Sequence, residues 1–69
     1  MNIYELIRYI EEGTNLSLEV GWKWEKVSHG NECKTLIVKY KGCIGYWRTY
    51  KYRDPKKLRK SVYEWIAGL

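Results

Sequence analysis

Cationic side chains are concentrated in one part of the chain, residues 39–60. This segment holds nine lysines and arginines and a single acidic residue, Asp54, so its net charge is +8, whereas the whole protein carries +5. Lysine and arginine bind phosphate and carboxylate groups, and a basic surface of this density accelerates encounter with polyanions. Nucleic acid, an acidic protein surface and an anionic membrane are the partners that this charge favours.

Tyrosines are interspersed with these cations, and the combination indicates one class of ligand. Bases of single-stranded nucleic acid stack on exposed aromatic rings, while lysine and arginine contact the phosphates. Tyrosine also favours β-strands for packing reasons alone, so structural cross-strand pairs are an alternative explanation. The residues expected to form a nucleic-acid site are Lys39, Lys41, Tyr46, Arg48, Tyr50, Arg53, Lys56, Lys57 and Lys60.

The chain offers little for catalysis or for a cofactor. It contains one histidine, no glycine-rich phosphate loop and no spacing typical of a Ser-His-Asp triad. His29, Glu32 and Cys33 lie close in sequence but are too few for zinc, which takes four ligands in structural sites. We therefore expect a protein that is not an enzyme and that holds neither a metal nor a cofactor.

Length and composition limit the domain organisation and the location. A chain of 69 residues allows one domain, residues 1–69, with a small core. No segment approaches the roughly 20 apolar residues of a transmembrane helix, and the N-terminus lacks the basic region of a secretory signal. Cys33 and Cys43 are expected at opposite ends of a hairpin, and therefore reduced. These features predict a cytoplasmic protein.

Apolar spacing and capping residues predict a helix at each end of the chain. Isoleucine and leucine at helical spacing indicate a helix over residues 3–12, followed by Gly13 as a stop signal. Asp54 as N-cap and Pro55 at the first helical position indicate the start of the second helix. The apolar stripe expected on that helix is Leu58, Val62, Trp65, Ile66 and Leu69.

Between the helices the polar and apolar residues alternate with a period of two, which predicts strands. The first strand covers residues 16–25, the second residues 36–41, and Gly42 allows a tight reversal into a third strand over residues 44–52. The predicted fold class is α+β: a single small domain of order α-β-β-β-α, with a three-stranded antiparallel meander and both helices on one face. The opposite face of the sheet would be open.

The third strand has two possible orientations, and arginine burial decides between them. An unpaired arginine at mid-strand is almost never buried, so Arg48 is expected outside, whereas Trp47 and Thr49 bury well. The same parity places Tyr52 outside. The residues expected on the open face are Lys23, Ile37, Lys39, Lys41, Tyr46, Arg48 and Tyr50.

The four tryptophans are expected in the core. Trp22 and Trp24 continue the apolar alternation of the first strand, Trp47 has the inward parity, and Trp65 belongs to the stripe of the last helix. Large buried aromatic side chains would help so short a chain to hold its fold.

Element order and one short motif resemble the double-stranded RNA-binding domain. Lys56, Lys57 and Lys60 match the Lys-Lys-x-x-Lys cluster that opens the last helix of that family, although Arg59 stands where alanine is usual. His29 lies in the loop between the first two strands, where the family also carries a histidine. The resemblance implies that the lysines grip phosphates across the major groove of duplex RNA, while the first helix and this loop approach the minor groove.

The N-terminus resembles a second class, the small anti-CRISPR proteins of prophages. Met1-Asn2-Ile3, Leu6-Ile7-Arg8 and Ile10 are similar to the opening of one such inhibitor, in which a helix also precedes a three-stranded sheet and a further helix. That inhibitor imitates DNA with an acidic surface, whereas this chain is basic. The resemblance therefore implies a phage or mobile-element origin rather than the same mechanism.

Two functions follow from these observations. The first is a small basic nucleic-acid-binding protein; the alternative is a phage-type inhibitor that docks on a host nuclease, its guide RNA or a regulator. A homodimer through the open sheet face or through a strand edge is compatible with either function.

Overall fold

The computed structural model describes residues 2–69, apart from the side chain of His29. A helix, three strands and a second helix follow one another, as the sequence predicts. Two connections contain short 3-10 helices, Ser28–Gly30 and Thr49–Lys51. The principal elements are α1 (Ile3–Glu12), β1 (Glu19–Lys26), β2 (Glu32–Tyr40), β3 (Cys43–Arg48) and α2 (Pro55–Ala67).

Both helices begin at a side-chain cap. The Oδ1 atom of Asn2 accepts a hydrogen bond from the backbone N–H of Glu5 at 2.8 Å. The Oδ1 atom of Asp54 accepts one from the backbone N–H of Lys56 at 3.0 Å, and Pro55 occupies a position where its missing N–H costs nothing. Each cap satisfies an N–H group that the first helical turn leaves unpaired. The two predicted helices are therefore confirmed.

The strands form an antiparallel meander in the order β1-β2-β3. Trp22 pairs with Leu36, which in turn pairs with Trp47, so these side chains share one face of the sheet. Both helices pack on that face, as the membership of the buried core shows: Ile3, Ile10, Leu36, Val38, Trp47, Leu58 and Val62. The predicted α+β fold, with both helices on one side and the other side open, is confirmed.

A two-residue turn, Lys41-Gly42, joins β2 to β3. Tyr40 pairs with Cys43, and the two turn residues have φ angles of 48° and 80°. Positive φ at both positions is the pattern of the type I′ turn, whose twist matches that of the flanking strands.

Replacing Gly42 by alanine should lower the free energy of unfolding by about 1 kcal/mol, because an L side chain is unfavourable at this backbone conformation. Apart from its two chain neighbours, no atom of the described residues lies within 4 Å of the position that a Cβ would take, so the cost is confined to the backbone. Chemical denaturation measures the effect. Gly21→Ala is the matched control, since Gly21 has equally empty surroundings without a positive φ. Equal denaturation midpoints for Gly42→Ala and wild type would contradict the type I′ turn assigned to Lys41-Gly42.

The third strand is shorter than the sequence indicates. It ends at Arg48, and Thr49–Lys51 forms a 3-10 helix. The hydroxyl of Thr49 donates a 2.8 Å hydrogen bond to the Lys34 carbonyl, and the Tyr52 N–H donates to the Thr49 carbonyl at 3.1 Å. These bonds turn the chain toward α2, so the expected extension over residues 44–52 is wrong. Tyr52, expected outside, instead packs against the core.

Three apolar residues assigned to the core are exposed. Leu16 precedes β1, which begins only at Glu19, and Leu69 follows the end of α2. Trp24 shares a strand face with Trp22, yet 56% of its surface remains exposed because the helices leave this end of β1 uncovered. The prediction that all four tryptophans lie in the core is therefore wrong for Trp24.

Candidate nucleic-acid interface

Strand register defines the face of the sheet that lies away from the helices. Thr35 of β2 pairs with Lys23 of β1 and with Arg48 of β3. One step along, Ile37 pairs with Tyr46. Cross-strand partners project to the same side, so these residues share a surface that we call the open face. Its members are Glu19, Gly21, Lys23, Glu25, Cys33, Thr35, Ile37, Lys39, Ile44, Tyr46 and Arg48.

A carboxylate lies between the cations of the open face. The buried hydroxyl of Thr35 donates a 2.7 Å hydrogen bond to Glu25 Oε2. Arg48 Nε lies 3.7 Å from the same oxygen, and Lys23 Nζ lies 4.0 Å from Glu25 Oε1. Sequence reasoning missed this group because its members come from three strands, and only the register brings them together.

The hydrogen bond from Thr35 holds the pKa of Glu25 below its ordinary value of 4.5. Desolvation acts in the opposite direction, and the positive charges of Lys23 and Arg48 reinforce the lowering. A group whose folded pKa is depressed stabilises the fold above its unfolded pKa and loses that contribution as pH falls through the folded value. Glu25 therefore contributes at neutral pH and loses its contribution only below pH 4.5.

Thr35→Val should raise the pKa of Glu25 toward its ordinary value, because it removes the strongest interaction with the charged carboxylate. The variant should consequently be less stable than wild type at neutral pH, and the difference should shrink as the pH falls, because Glu25 then has less depressed-pKa stabilisation to lose. NMR titration of the Glu25 carboxyl carbon gives the pKa in both proteins. Thr49→Val, which removes a threonine hydrogen bond away from Glu25, is the control. Identical Glu25 titration in wild type and Thr35→Val would contradict the assignment.

The open face is less basic than the sequence suggests. Lys23 and Arg48 are both engaged with Glu25, and Lys39 stands opposite Glu19 in the β1–β2 register. Three cations therefore face two carboxylates on this surface. Phosphate contacts alone give it little affinity for a polyanion.

Tyr46 is the prominent aromatic residue of the open face. Its surface is 56% exposed, and Lys23 Nζ lies 5.1 Å from the centre of its ring. Ile44, two residues earlier on the same strand, is also exposed, and Ile37 is the half-buried cross-strand neighbour of Tyr46. β3 thus presents an apolar and aromatic strip beside a cation.

Cation-bearing depressions lie at both ends of this strip. At the turn end, a depression of about 330 Å³ is lined by Lys39, Lys41 and Ile44 together with the carboxylate-bearing Glu19. At the other end, a second depression of about 330 Å³ is lined by Tyr46, Arg48 and Lys51 together with Glu25, and it reaches Trp47 and Tyr52 around the edge of β3. Because β3 ends at Arg48 and the chain turns through a 3-10 helix, Lys51 lies at this depression.

The nine predicted site residues are divided between different parts of the molecule. Lys39, Tyr46 and Arg48 lie on the open face, and Lys41 lies in the turn with its Nζ 5.3 Å from the Tyr40 ring. Tyr50 is exposed, but it belongs to the 3-10 helix rather than to β3, so its expected place on the open face is wrong. The other four cations, which we call the helix cluster, are Arg53, Lys56, Lys57 and Lys60.

The helix cluster lies on the opposite layer of the domain. All four side chains are exposed, and Lys60 Nζ lies 4.0 Å from Glu64 Oε1 one turn along α2. Leu58 and Val62 of the same helix are buried against the covered face of the sheet. Because α2 and the open face lie on opposite sides of the sheet, the predicted site is two surfaces rather than one.

Arg59 has a structural role between the helices. Its guanidinium carbon lies 4.1 Å from the centre of the Tyr9 ring. Close by, the Tyr63 hydroxyl donates a 2.9 Å hydrogen bond to the Ile10 carbonyl. Both contacts join α2 to α1, so Arg59 is not counted with the helix cluster.

The described part of the chain shows neither a metal-binding cluster nor a membrane-spanning helix. Among its described side chains, no three His, Cys, Asp or Glu residues are grouped so as to hold a metal ion. Cys33 pairs with Glu25 and Cys43 with Tyr40, so the two free cysteines lie at opposite ends of the hairpin, as predicted. No helix within residues 2–69 has the length and apolar character needed to cross a bilayer.

Comparisons with protein-family models, curated proteins and solved structures found no match to this chain. The open face and the helix cluster are therefore the features of the protein that bear on its function.

Proposed function

We propose that the protein is a non-enzymatic nucleic-acid-binding protein that holds a single strand along β3 on the open face. One observation carries the proposal: the exposed ring of Tyr46 lies on a sheet surface covered by neither helix, between two depressions that each hold two cations and one glutamate. This arrangement offers a ring for a base and cations for the phosphates on either side.

Stacking supplies most of the affinity in this proposal. One base on an aromatic side chain contributes about 1 to 3 kcal/mol, and sheets that bind RNA stack two or three bases in this way. A base on Tyr46 would extend over Ile44 and Ile37, which give it apolar contact. Lys39 and Lys41 would meet the phosphates at one end of β3, and Arg48 and Lys51 those at the other.

The helix cluster has a different role in the proposal. It raises the local concentration of a polyanion around the domain and so accelerates encounter, while the open face makes the lasting contacts. A phage or mobile-element origin, implied by the N-terminal resemblance, is part of the same proposal.

Fluorescence anisotropy with labelled single- and double-stranded DNA and RNA tests the proposal. About four phosphate contacts, from Lys39, Lys41, Arg48 and Lys51, predict a loss of roughly 50-fold in single-strand affinity between about 50 and 200 mM salt. If a duplex binds through the four cations of the helix cluster, its affinity would fall by more than about 100-fold over the same interval of salt concentration. Preference for a single strand with the shallower dependence supports the proposal. A duplex preference with the steeper dependence contradicts it.

Lys56→Glu combined with Lys57→Glu separates the two surfaces. These side chains are exposed and lie away from the open face, so the double variant should weaken single-strand binding by less than about threefold at 200 mM salt, where long-range attraction is screened. Duplex binding should fall far more, as the likeness to the double-stranded RNA-binding domain implies. Circular dichroism checks that the variant is folded. A large loss of single-strand affinity would show that the helix cluster is the principal site.

The second candidate is the phage-type inhibitor that docks on a host nuclease, its guide RNA or a regulator. The exposed Ile44 beside Tyr46 favours it, since protein interfaces combine an apolar and aromatic centre with a charged rim. The same titrations separate the candidates. Weak, indiscriminate binding that appears only at the lower salt would support docking on a protein through the open face.

A further inference from the structure

Trp24 lies at the free edge of the sheet, on the side of the helices. β1 pairs with β2 along one side, and no backbone hydrogen bond among the described residues engages its other side. The Trp24 ring meets the Trp22 ring edge-on at 5.8 Å, and Lys34 Nζ lies 5.6 Å from each ring. A strand edge with unpaired backbone groups and a large exposed aromatic side chain is suited to pairing with another strand.

The β1 edge is complementary to a second copy of itself. In a two-fold antiparallel pairing that extends the sheet, residues on the same face oppose each other, so the possible registers differ in steps of two. With Trp24 opposite Trp24 of the second copy, Lys23 lies opposite Glu25 of that copy, and Trp22 lies opposite Lys26. Each of these pairs occurs twice by symmetry. Opposite charges and cation–aromatic pairs at such positions stabilise strand pairing.

Neighbouring registers bring like charges together. The neighbouring register on one side has its centre at Lys23, so that Lys23 lies opposite Lys23 of the second copy. The neighbouring register on the other side has its centre at Glu25, so that two Glu25 carboxylates lie opposite each other. Like charges directly opposite each other destabilise a strand pair, so the charges of β1 select the register centred on Trp24.

We propose that the protein forms a homodimer through its β1 edges, in which the two Trp24 side chains cover each other within a six-stranded antiparallel sheet. Glu25 Oε1 makes only the loose 4.0 Å contact with Lys23 of its own chain and is available to Lys23 of the second copy. The open faces of both copies lie on one side of the extended sheet and remain accessible. The proposed dimer therefore does not depend on the proposed function.

Sedimentation equilibrium of the full chain, over about 1 µM to 1 mM, tests the dimer. The expected mass rises toward twice the 8.3 kDa of one chain. Trp24→Ala and Lys23→Glu should each raise the dissociation constant about tenfold or more, because the first removes the central pair and the second places like charges opposite each other at both Lys23–Glu25 positions. Lys39→Glu is the matched control: it changes the same charge on the central strand, away from the edge, and should leave the mass unchanged. Circular dichroism checks the fold of each variant.

Two outcomes would overturn the proposal. The first is a mass of one chain at every concentration; if Trp24→Ala then weakens nucleic-acid binding, the exposed ring serves a ligand rather than a second copy. The second is a dimer that resists Trp24→Ala and Lys23→Glu but is lost in Tyr46→Ala, which would place the interface on the open face.

Discussion

Tyr46→Ala should lower the affinity of the protein for single-stranded nucleic acid by about 5- to 150-fold. This range corresponds to the loss of one base stacked on an aromatic ring, about 1 to 3 kcal/mol. The Tyr46 side chain is more than half exposed on the open face, so its removal leaves the core intact. Fluorescence anisotropy at a fixed salt concentration measures the effect, with circular dichroism to verify folding.

Two further variants make this result specific to the open face. Tyr46→Phe retains the ring and should bind within about twofold of wild type, since stacking needs the π-face rather than the hydroxyl. Tyr4→Ala removes a tyrosine that is 70% exposed on α1, on the helix layer, and should bind like wild type. Equal losses for Tyr4→Ala and Tyr46→Ala would contradict a site on the open face.

Gly45→Val should destabilise the fold by about 3 kcal/mol, a large part of the roughly 3 to 10 kcal/mol expected for a domain of this size. Valine is favoured in strands, so local propensity alone predicts the opposite sign. We expect destabilisation in spite of this propensity, because a Cβ at this position would lie 2.5 Å from the Trp47 ring and 3.1 Å from the Trp65 ring. These two rings meet edge-on at 5.3 Å directly over the glycine.

Gly21→Val provides the matched control for Gly45→Val. Gly21 also lies within a strand, but among the described residues beyond its chain neighbours nothing lies within 4 Å of the position that a Cβ would take. The substitution should be neutral or stabilise the fold by about 0.5 to 1 kcal/mol through strand propensity. Urea denaturation of both variants gives the comparison. If Gly45→Val proved as stable as Gly21→Val, the packing of Trp47 and Trp65 over Gly45 would be wrong.

Much of the fold could be predicted from the sequence, because each element carries a local signal. The stripe of α1 begins at Ile3 and ends before Gly13, and Asp54 followed by Pro55 marks the start of α2 as the structure places it. The period of two and the glycine after Lys41 likewise gave the meander and its turn. Such signals depend on neighbouring residues alone, so they can be recognised without knowledge of the tertiary packing.

The remaining features depend on contacts between residues far apart in sequence. β3 ends early because Thr49 bonds to the Lys34 carbonyl, and no periodicity reveals such a bond. Trp24 is exposed because the helices cover only part of the sheet, although its parity is that of a core residue. The basic segment is continuous in sequence, but it runs from the sheet into α2, so its cations are divided between the open face and the helix cluster.

The charge of the open face also depends on residues far apart in sequence, so it could not be predicted by counting along the chain. A count over residues 39–60 predicts a strongly basic surface, but that count omits Glu25, which belongs to a different strand and contacts both Arg48 and Lys23. The resulting surface is aromatic and nearly balanced in charge. We therefore expect stacking on Tyr46 to contribute more of the affinity than the phosphate contacts do.

Chemical-shift mapping tests that claim most directly. Titration of ¹⁵N-labelled protein with a short unlabelled single strand reports on every backbone amide while the domain stays intact. The account predicts that the largest changes fall on Ile44, Tyr46 and Arg48, with smaller ones at Ile37 and none beyond the noise in the middle of α2. Changes confined to the first turns of α2, with β3 unmoved, would contradict it and place the ligand on the helix cluster.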